Sequence, residues 1–331
     1  MHAAAQNLRG GVSPRSTRLR GQSIIEYVLI IAVIGLVIVF AGPGVAGAIR
    51  NQFNLVGNTV NSGTTGGAEG GGTSGGGSTG ADSATVQAAI AKDAKDWTLE
   101  EQKVVAEDIA AKGEASPVYA KAKAAMDAGT KFTMKLTDGQ TLEYKIIGID
   151  HDDLADGSGK AGLTFLTTST GIKSRMNATD ANAGGWEKSE IRQKMNSGEI
   201  WNLMPSDFQS KVKAVRKLTN NVGGGSTNED AAVTATSDRL FLLSYSEIVP
   251  TSHWASDYPW TSSEGTQYEA FKGKVTENYS DNACLQIGGY WWERSASPYS
   301  SDYFLLVYSN GVPSRYSRAT NSRCVCPAFS F

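Results

Sequence analysis

The first strong pattern along the chain is an apolar run over residues 21–40, which reads GQSIIEYVLIIAVIGLVIVF. Residues 28–41 carry no polar side chain, and Glu26 is the single charge in the run. The pattern therefore predicts a helix that spans a bilayer, which takes about 20 apolar residues. The preceding segment has no acidic residue and carries Arg9, Arg15, Arg18 and Arg20. Because basic flanks stay on the cytoplasmic side, we expect everything after the run to lie outside the cytoplasm.

Changes in hydrophobic period divide the rest of the chain. Residues 62–80 are nearly all Gly, Ser and Thr, which cannot bury enough apolar surface to fold, so they predict a flexible linker. Residues 81–129 have helical spacing, with Thr98 and Glu101 placed as a capping box. They form either a helical spacer or part of the next domain. Residues 130–331 predict a mixed α+β domain of short antiparallel strands and helices.

Within that domain the periodicity predicts individual elements. They are a β-hairpin of residues 131–135 and 142–149 around a turn at 137–140, a strand at 163–168, a helical block at 186–216, a short buried strand at 238–244, and a strand at 304–307 followed by a turn at Asn310 and Gly311. In the helical block, Ser206 and Asp207 are expected to start a helix that runs to Arg216.

The loop at residues 150–162, DHDDLADGSGKAG, is dense in carboxylates. A calcium loop is one hypothesis, but an EF-hand needs an oxygen ligand at position five and glycine at position six, where Leu154 and Ala155 stand. We therefore predict a polar loop and no metal or cofactor. The formal net charge of −2 gives no electrostatic reason to expect a nucleic-acid partner.

Three interpretations compete for residues 21–40: a cleaved secretory signal, a membrane anchor and a pilin segment. The small residues 46–48 come too late after the apolar run for a usual signal cleavage site. The stretch Arg-Gly-Gln-Ser-x-x-Glu-Tyr before the apolar helix resembles the prepilin signature of Flp-type (tight-adherence, class IVb) pilins. The resemblance implies a leader at 1–21, cleavage by a prepilin peptidase between Gly21 and Gln22, and an assembly helix at 22–61 in which Glu26 and Tyr27 serve filament assembly.

The chemistry of Glu26 fits that reading. A carboxylate in an apolar helix is costly unless it meets a cation, and the free amino group of a neighbouring subunit's Gln22 would supply one. The alternative is an ordinary single-span anchor with a glutamate at the membrane edge. A pilin would be inserted in the inner membrane before assembly and would then form filaments with copies of itself or with other pilins.

A second resemblance covers roughly residues 130–331. Its landmarks are Gly185-Trp186, Ser189, Ile191-Arg192 and Met195-Asn196, then residues 238–244 with Glu247, then Trp291-Trp292-Glu293-Arg294-Ser295, and finally residues 324–329. This succession is similar to a bacterial extracellular family that ends in WW-x-R-S and G-V-R-P-A-F, and to C-type-lectin-fold domains related to formylglycine-generating enzyme. The resemblance implies a lectin-like fold and a variable ligand-binding segment at 293–323. Here Glu293 replaces the usual Leu, and Cys324 and Cys326 replace Gly and Arg.

Residues 293–323 have the composition of a binding surface, because Tyr offers a large amphipathic contact and Ser and Asn offer adaptable hydrogen bonds. The candidate ligand-binding residues are Glu293, Tyr299, Ser301, Asp302, Tyr308, Asn310, Ser314, Arg315, Tyr316, Arg318, Asn321 and Arg323. Six of them are expected on one exposed face, namely Tyr299, Asp302, Tyr308, Arg315, Tyr316 and Arg318. The plainer interpretation is that all of these are exposed strand and turn residues.

Catalysis has little support in the sequence. His2, His151 and His253 are scattered, so their spacing assembles neither a triad nor a metal site. A formylglycine-generating-type enzyme would need a cysteine pair, but Cys324 and Cys326 stand too close on one strand for an unstrained bridge. In an oxidising compartment we therefore expect Cys284 to bond one of them.

These observations predict a pilin-like adhesin, not an enzyme. The helix assembles into a Tad/Flp-type pilus at the cell surface, and the C-terminal domain binds a protein or glycan on a host or bacterial surface. The alternatives are a purely structural pilin, a membrane-anchored surface protein and, least supported, an enzyme of the formylglycine-generating type.

Overall fold

The computed structural model describes residues 83–225, 232–250, 258–277 and 279–331, which belong to one compact unit. Its helices are α1 (Ser83–Ala91), α2 (Leu99–Lys112), α3 (Tyr119–Ala128), α4 (Gly185–Lys188), α5 (Glu190–Asn196), α6 (Glu199–Leu203), α7 (Ser206–Lys211) and α8 (Tyr245–Ile248). Its strands are β1 (Lys131–Lys135), β2 (Thr141–Ile149), β3 (Leu163–Thr167), β4 (Lys173–Ser174), β5 (Val215–Asn220), β6 (Val233–Asp238), β7 (Trp291–Ala296), β8 (Tyr303–Val307), β9 (Arg315–Arg318), β10 (Arg323–Cys324) and β11 (Ala328–Ser330).

Helices α1 to α3 pack into the same hydrophobic core as the strands. Helix α2 begins at the predicted capping box, in which the Glu101 amide donates to the Thr98 hydroxyl at 3.2 Å and the Thr98 amide donates to the Glu101 carboxylate at 2.7 Å. On its buried side, Gln102 accepts a hydrogen bond of 3.0 Å from the Tyr144 hydroxyl of β2. Of the two alternatives for residues 81–129, these contacts favour an integral part of the domain.

The first sheet has the strand order β1-β2-β3-β11, all antiparallel. Its first two strands are the predicted hairpin, and β3 is the strand predicted at 163–168, so both predictions are confirmed. The C-terminal strand closes the sheet, and its Phe329 ring stacks on Phe165 at 5.2 Å. Apolar side chains that alternate with polar ones along β1 and the first part of β2 face this core, which explains why the sequence pattern predicts both strands.

The second sheet has the strand order β4-β10-β7-β8-β9. Only the β10–β7 pair is parallel among the described strand pairs. Trp291 and Trp292 of β7 are buried, and their indole nitrogens donate to the carbonyl oxygens of Leu285 and Ser174 at 3.0 Å each. Strand β8 matches the strand predicted at 304–307, and a turn follows it in which the Gly311 amide donates to the Tyr308 carbonyl at 2.8 Å.

Two predicted elements differ from the structure. The helix that starts at Ser206 ends at Lys211, and Arg216 belongs to β5, which pairs with β6. The strand predicted at 238–244 is wrong as well: β6 ends at Asp238, and the apolar residues after it are buried in an extended loop fixed by Phe241, which exchanges two backbone hydrogen bonds with Ala328. A short apolar run indicates that a segment is buried, but hydrophobic periodicity in so short a run does not distinguish a strand from a loop.

The described residues therefore form an α+β fold with mostly antiparallel sheets. None of their helices is long and apolar enough to cross a membrane. The predicted leader, the apolar run and the linker, with Gly21, Gln22, Glu26 and Tyr27, lie outside the described residues.

Candidate functional site

The clearest candidate surface is a row of four side chains across the second sheet. The rings of Tyr290 and Tyr308 lie 4.6 Å apart, the Arg323 guanidinium lies 5.3 Å from the Tyr290 ring, and the Arg315 guanidinium lies 5.4 Å from the Tyr308 ring. We call this row the tyrosine–arginine ladder. Strand pairing explains it, because Trp291 is opposite Val307 and the next residues outward are Tyr290 and Tyr308. Cross-strand neighbours of this kind place their side chains on one face.

The ladder is chemically suited to a polar ligand with an apolar face. Tyr290 is 39% exposed, and the other three side chains are partly exposed. Neither Arg315 nor Arg323 has an ion-pair partner within the described residues, although Arg323 donates to the Ser317 hydroxyl at 3.2 and 3.3 Å. Two guanidinium groups and two adjacent phenol rings, tilted by 34° to each other, therefore face the same surface. Tyr and Arg are the residue types that dominate binding surfaces.

The other predicted surface residues are divided among separate places. Tyr316 stacks on Tyr303 at 4.9 Å, and the β8–β9 register places it on the same face as Arg318, opposite to the face that carries Arg315. Arg318 bridges Asp180 at 3.1 Å and Asp302 at 3.3 Å. Tyr299 contacts the Trp260 ring at 5.2 Å. The structure therefore does not bring the six predicted residues onto one face, because adjacent residues of a strand point to opposite sides.

Two predicted binding residues are buried instead of exposed. Glu293 has no exposed surface, and Ser314 is 2% exposed. Strand β7 lies between two other strands and is covered on both faces, so its polar residues are internal. Among the remaining candidates, Ser301 and Asn310 are exposed, and Asn321 donates to the Ser317 hydroxyl at 2.8 Å beside Arg323.

A buried ionic network lies under β7. The two terminal nitrogens of Arg294 each donate a hydrogen bond to one carboxylate oxygen of Glu247, at 2.5 and 3.0 Å. The Lys217 amine forms ion pairs with Glu247 at 2.5 Å and with Asp152 at 2.7 Å, and so links the two carboxylates. The Tyr268 hydroxyl also donates a hydrogen bond to Asp152, at 2.8 Å. Burial opposes ionisation of Asp152, but Lys217 and His151 outweigh it and lower its pKa to about 2.

Two more carboxyl groups adjoin this network without a cation of their own. Glu264 accepts from the Asn220 amide and from the Ser295 hydroxyl, and burial raises its pKa to about 7. Neither oxygen of Glu293 has a hydrogen-bond partner, and burial, reinforced by Glu264, raises its pKa well above the ordinary value. The charges of Lys217 and Arg294 are thus balanced by Asp152 and Glu247, and burial favours the protonated form of the other two acids. The network is enclosed, so it stabilises the fold and offers no reactive surface.

A cavity with a volume of about 610 Å³ opens beside the first sheet. Its wall includes Lys131, Glu143 and Lys145 of the hairpin, Thr168 after β3, and Cys284. The Lys145 amine donates to the Cys284 carbonyl at 2.8 Å. The lining is mostly polar, so the cavity fits a hydrophilic ligand.

The three cysteines are all free thiols in the structure, and the predicted bridge from Cys284 is absent. Cys324 and Cys326 are buried, whereas Cys284 is partly exposed at the cavity. Burial raises the pKa of each thiol, which keeps it protonated and poorly nucleophilic.

A family model for a domain of unknown function, DUF6273, matches residues 161–331, just over half of the chain. The chain belongs to the DUF6273 family. No curated protein and no solved structure matches it.

The DUF6273 region contains the whole ladder and most of the ionic network. Lys217, Glu247 and Arg294 lie inside the region, whereas Asp152 lies just before it. The cavity is shared in the same way, since Lys131, Glu143 and Lys145 come from the preceding hairpin and Thr168 and Cys284 from the family region. In this member of the DUF6273 family the hairpin therefore completes the cavity, and Asp152 of the loop after the hairpin completes the network.

Sequence reasoning missed the network and the cavity. Glu247 and Arg294 were recognised as landmarks, but nothing in their spacing pairs them. Lys217 lies two residues from the apolar Val215 on β5, so both side chains share one face, which is a weak signal that Lys217 faces inward. The loop at 150–162 is polar as predicted, yet Asp152 is buried within it. No cluster of three potential metal ligands occurs in the part of the DUF6273 chain that the structure describes.

Proposed function

We propose that this protein is a pilin-type subunit that displays residues 83–331 as a ligand-binding domain for cell adhesion. The proposal joins the prepilin-like motif around Gly21 and Glu26 to a C-terminal domain whose described surface carries two arginines without an ion-pair partner beside two adjacent tyrosines. The domain is related in this proposal to C-type-lectin-like folds, because Trp291, Trp292 and Phe329, which carry that resemblance, are core residues.

One observation carries the binding role. The large hydrophobic side chains exposed on the described surface are all tyrosines, and all fall after residue 278: Tyr279, Tyr290, Tyr299 and Tyr316. A domain that only decorated a filament would have no need to concentrate such residues in one part of the chain. The ladder contains one of these four tyrosines, Tyr290, and adds the Tyr308 ring and two guanidinium groups, which is the chemistry of an anchor for a protein or glycan.

The binding role is tested by adhesion of cells that produce the full-length protein. Tyr308→Ala removes the centre of the ladder and is expected to weaken adhesion by about 1 to 2 kcal/mol of binding free energy, with little change in melting temperature. Tyr308→Phe keeps the ring and should adhere normally. Tyr316→Ala is the matched control, because it removes an exposed tyrosine outside the ladder. Equal adhesion by Tyr308→Ala and wild type would show that the binding site lies elsewhere or that the protein is a purely structural pilin.

The assembly role has its own test. Gly21→Val and Glu26→Ala should each abolish incorporation into filaments, because the first blocks cleavage and the second removes the partner of the new amino terminus. N-terminal sequencing of the assembled protein should begin at Gln22. Filaments built from uncleaved chains would contradict the pilin role and would leave the binding domain on a membrane anchor.

A further inference from the structure

The cavity beside the first sheet places like charges together. Lys131 of β1 is directly opposite Lys145 of β2, so their side chains share one face of the sheet. Glu143 lies on the same face two residues before Lys145 and forms an ion pair with Lys131 at 2.7 Å. All three line the cavity. Like charges directly opposite each other on a sheet are destabilising, so an anion bound beside these two lysines would reduce their repulsion.

Lys145 is the cation without a counter-ion. The described residues offer it no carboxylate within ion-pair distance, and the single hydrogen bond of its amine goes to the Cys284 carbonyl. Burial lowers the pKa of Lys145, and the positive charges of Lys274 and Lys131 lower it further, while Cys284 opposes the change. A partly buried ammonium in this setting is costly, and a bound negative charge would offset that cost.

Hydroxyl groups complete the wall. Thr168 follows β3 and its amide donates to the Glu143 carbonyl at 2.8 Å, which brings its side chain to the same part of the cavity. The Thr168 hydroxyl is buried and has no hydrogen-bond partner. Ser169 and Thr170 also line the cavity. Because the Thr168 oxygen is enclosed, the donors that face a ligand are the Lys145 ammonium and the hydroxyl groups of Ser169 and Thr170, which suit negatively charged oxygen atoms.

We propose that this cavity binds a small ligand through an oxyanion, a carboxylate or a phosphate group, which pairs with Lys145. Its volume of about 610 Å³ lies within the range of small-molecule sites and admits a sugar-sized ligand. The site goes beyond the proposed adhesive surface, because it uses the hairpin and the Thr168 loop and shares no residue with the ladder. It stands whether or not the chain assembles into a pilus.

The test is calorimetric titration of the full-length protein, held in a non-ionic detergent, with glucuronate, with inorganic phosphate and with glucose. We expect at least one of the two anions to bind and neutral glucose not to bind. Binding by glucuronate alone identifies a carboxylate ligand such as an acidic sugar, whereas binding by phosphate alone identifies a phosphorylated one. Absence of binding by both anions overturns the proposal.

Two variants at the cavity should change the affinity for the anions in opposite directions. Lys145→Met should weaken anion binding about tenfold or more, because it removes a charged hydrogen-bond donor. Glu143→Gln should strengthen binding, since it removes the carboxylate that occupies Lys131. Lys135→Met is the matched control, because Lys135 is an exposed lysine of β1 outside the cavity. Unchanged affinity in both Lys145→Met and Glu143→Gln would overturn the assignment. Tyr308→Ala should bind the anions normally, which separates this site from the ladder.

Discussion

Strands β7 and β9 belong to the same sheet and are both rich in polar residues, yet they differ in burial. Strand β7 reads WWERSA and all six of its residues are buried, whereas β9 reads RYSR and exposes Tyr316 and Arg318. Position in the sheet accounts for the difference. Strand β7 lies between β10 and β8, while β9 is an edge strand that pairs only with β8. Composition alone placed Glu293 of β7 on the surface together with Arg315, Tyr316 and Arg318 of β9.

The two arginines show what each position requires. Arg294 is fully buried, and each of its nitrogens has a partner: Thr219, Glu247, and the carbonyl groups of Leu218, Leu242 and Glu264. Arg318 is half exposed and has two carboxylates at the surface, where water competes for every contact. A buried charge must be fully partnered, whereas an exposed one is free to lose its partners at little cost.

The largest expected effect is the loss of the buried arginine. Arg294→Met should lower the free energy of unfolding by about 3 to 5 kcal/mol, because it leaves Glu247 buried beside Lys217 with too little positive charge. Denaturant unfolding followed by tryptophan fluorescence measures the change. Arg216→Met is the matched control, since Arg216 is an exposed arginine of the neighbouring strand β5. Comparable stability of the two variants would mean that the network under β7 contributes little to the fold.

The second prediction concerns pH. Burial raises the pKa of Glu264 from 4.5 to about 7, so the folded state binds this proton more tightly than the unfolded state does. The stabilisation is complete below pH 4.5 and is lost as the pH rises through 7, a difference of about 3 kcal/mol. Asp152 acts in the opposite sense, because its pKa is lowered and its contribution is lost as the pH falls from 3.8 to about 2.

Melting temperatures between pH 4.5 and 8 check this prediction. Wild type should melt at a lower temperature at the alkaline end, and Glu264→Gln should flatten the decline because it keeps the shape of the side chain without its charge. A steep decline that survives Glu264→Gln would assign the pH dependence to other groups.

Much of the fold was predictable where one face of an element is buried and the other is wet. The first strand of the hairpin at 131–149 shows this, because its apolar residues mark the inner face directly. The prediction failed after Lys211 and after Asp238, where short apolar segments are held by contacts with distant strands. Local sequence does not encode such contacts, so helix, strand and buried loop look alike there.

The candidate sites were less predictable. Residues 293–323 carry three members of the ladder, Tyr308, Arg315 and Arg323, but the fourth member, Tyr290, precedes that segment. The prediction that Glu293 is exposed was wrong, because its burial depends on the position of β7 between two other strands, and contacts between distant parts of the chain determine that position. The cavity joins Lys145 to Cys284 across 139 positions of sequence, a separation that no spacing rule connects.

The third prediction concerns the unpartnered acid of β7. Glu293→Leu should raise the free energy of unfolding by about 1 to 3 kcal/mol at neutral pH, because it replaces a buried carboxyl group that has no hydrogen bonds with an apolar side chain. Leu is also the residue expected here from the resemblance to WW-x-R-S domains. Glu293→Gln is the matched control, since it retains a polar group without partners and should gain less. A destabilised Glu293→Leu would show that the carboxyl group has a partner that matters to the fold.

The smallest expected effect is at the edge strand. Arg318→Met should leave the free energy of unfolding unchanged within measurement, because the side chain is 55% exposed and its ion pairs with Asp180 and Asp302 are screened by water and salt. A double-mutant cycle of Arg318→Met with Asp180→Asn measures the coupling directly, and the corresponding cycle of Arg294→Met with Glu247→Gln gives the buried reference. The coupling at the edge should vanish at high salt, whereas the buried coupling should persist. If both cycles gave similar energies with the same salt dependence, sheet position would not be what separates β7 from β9, and the contrast between the two strands would have to come from their local sequences.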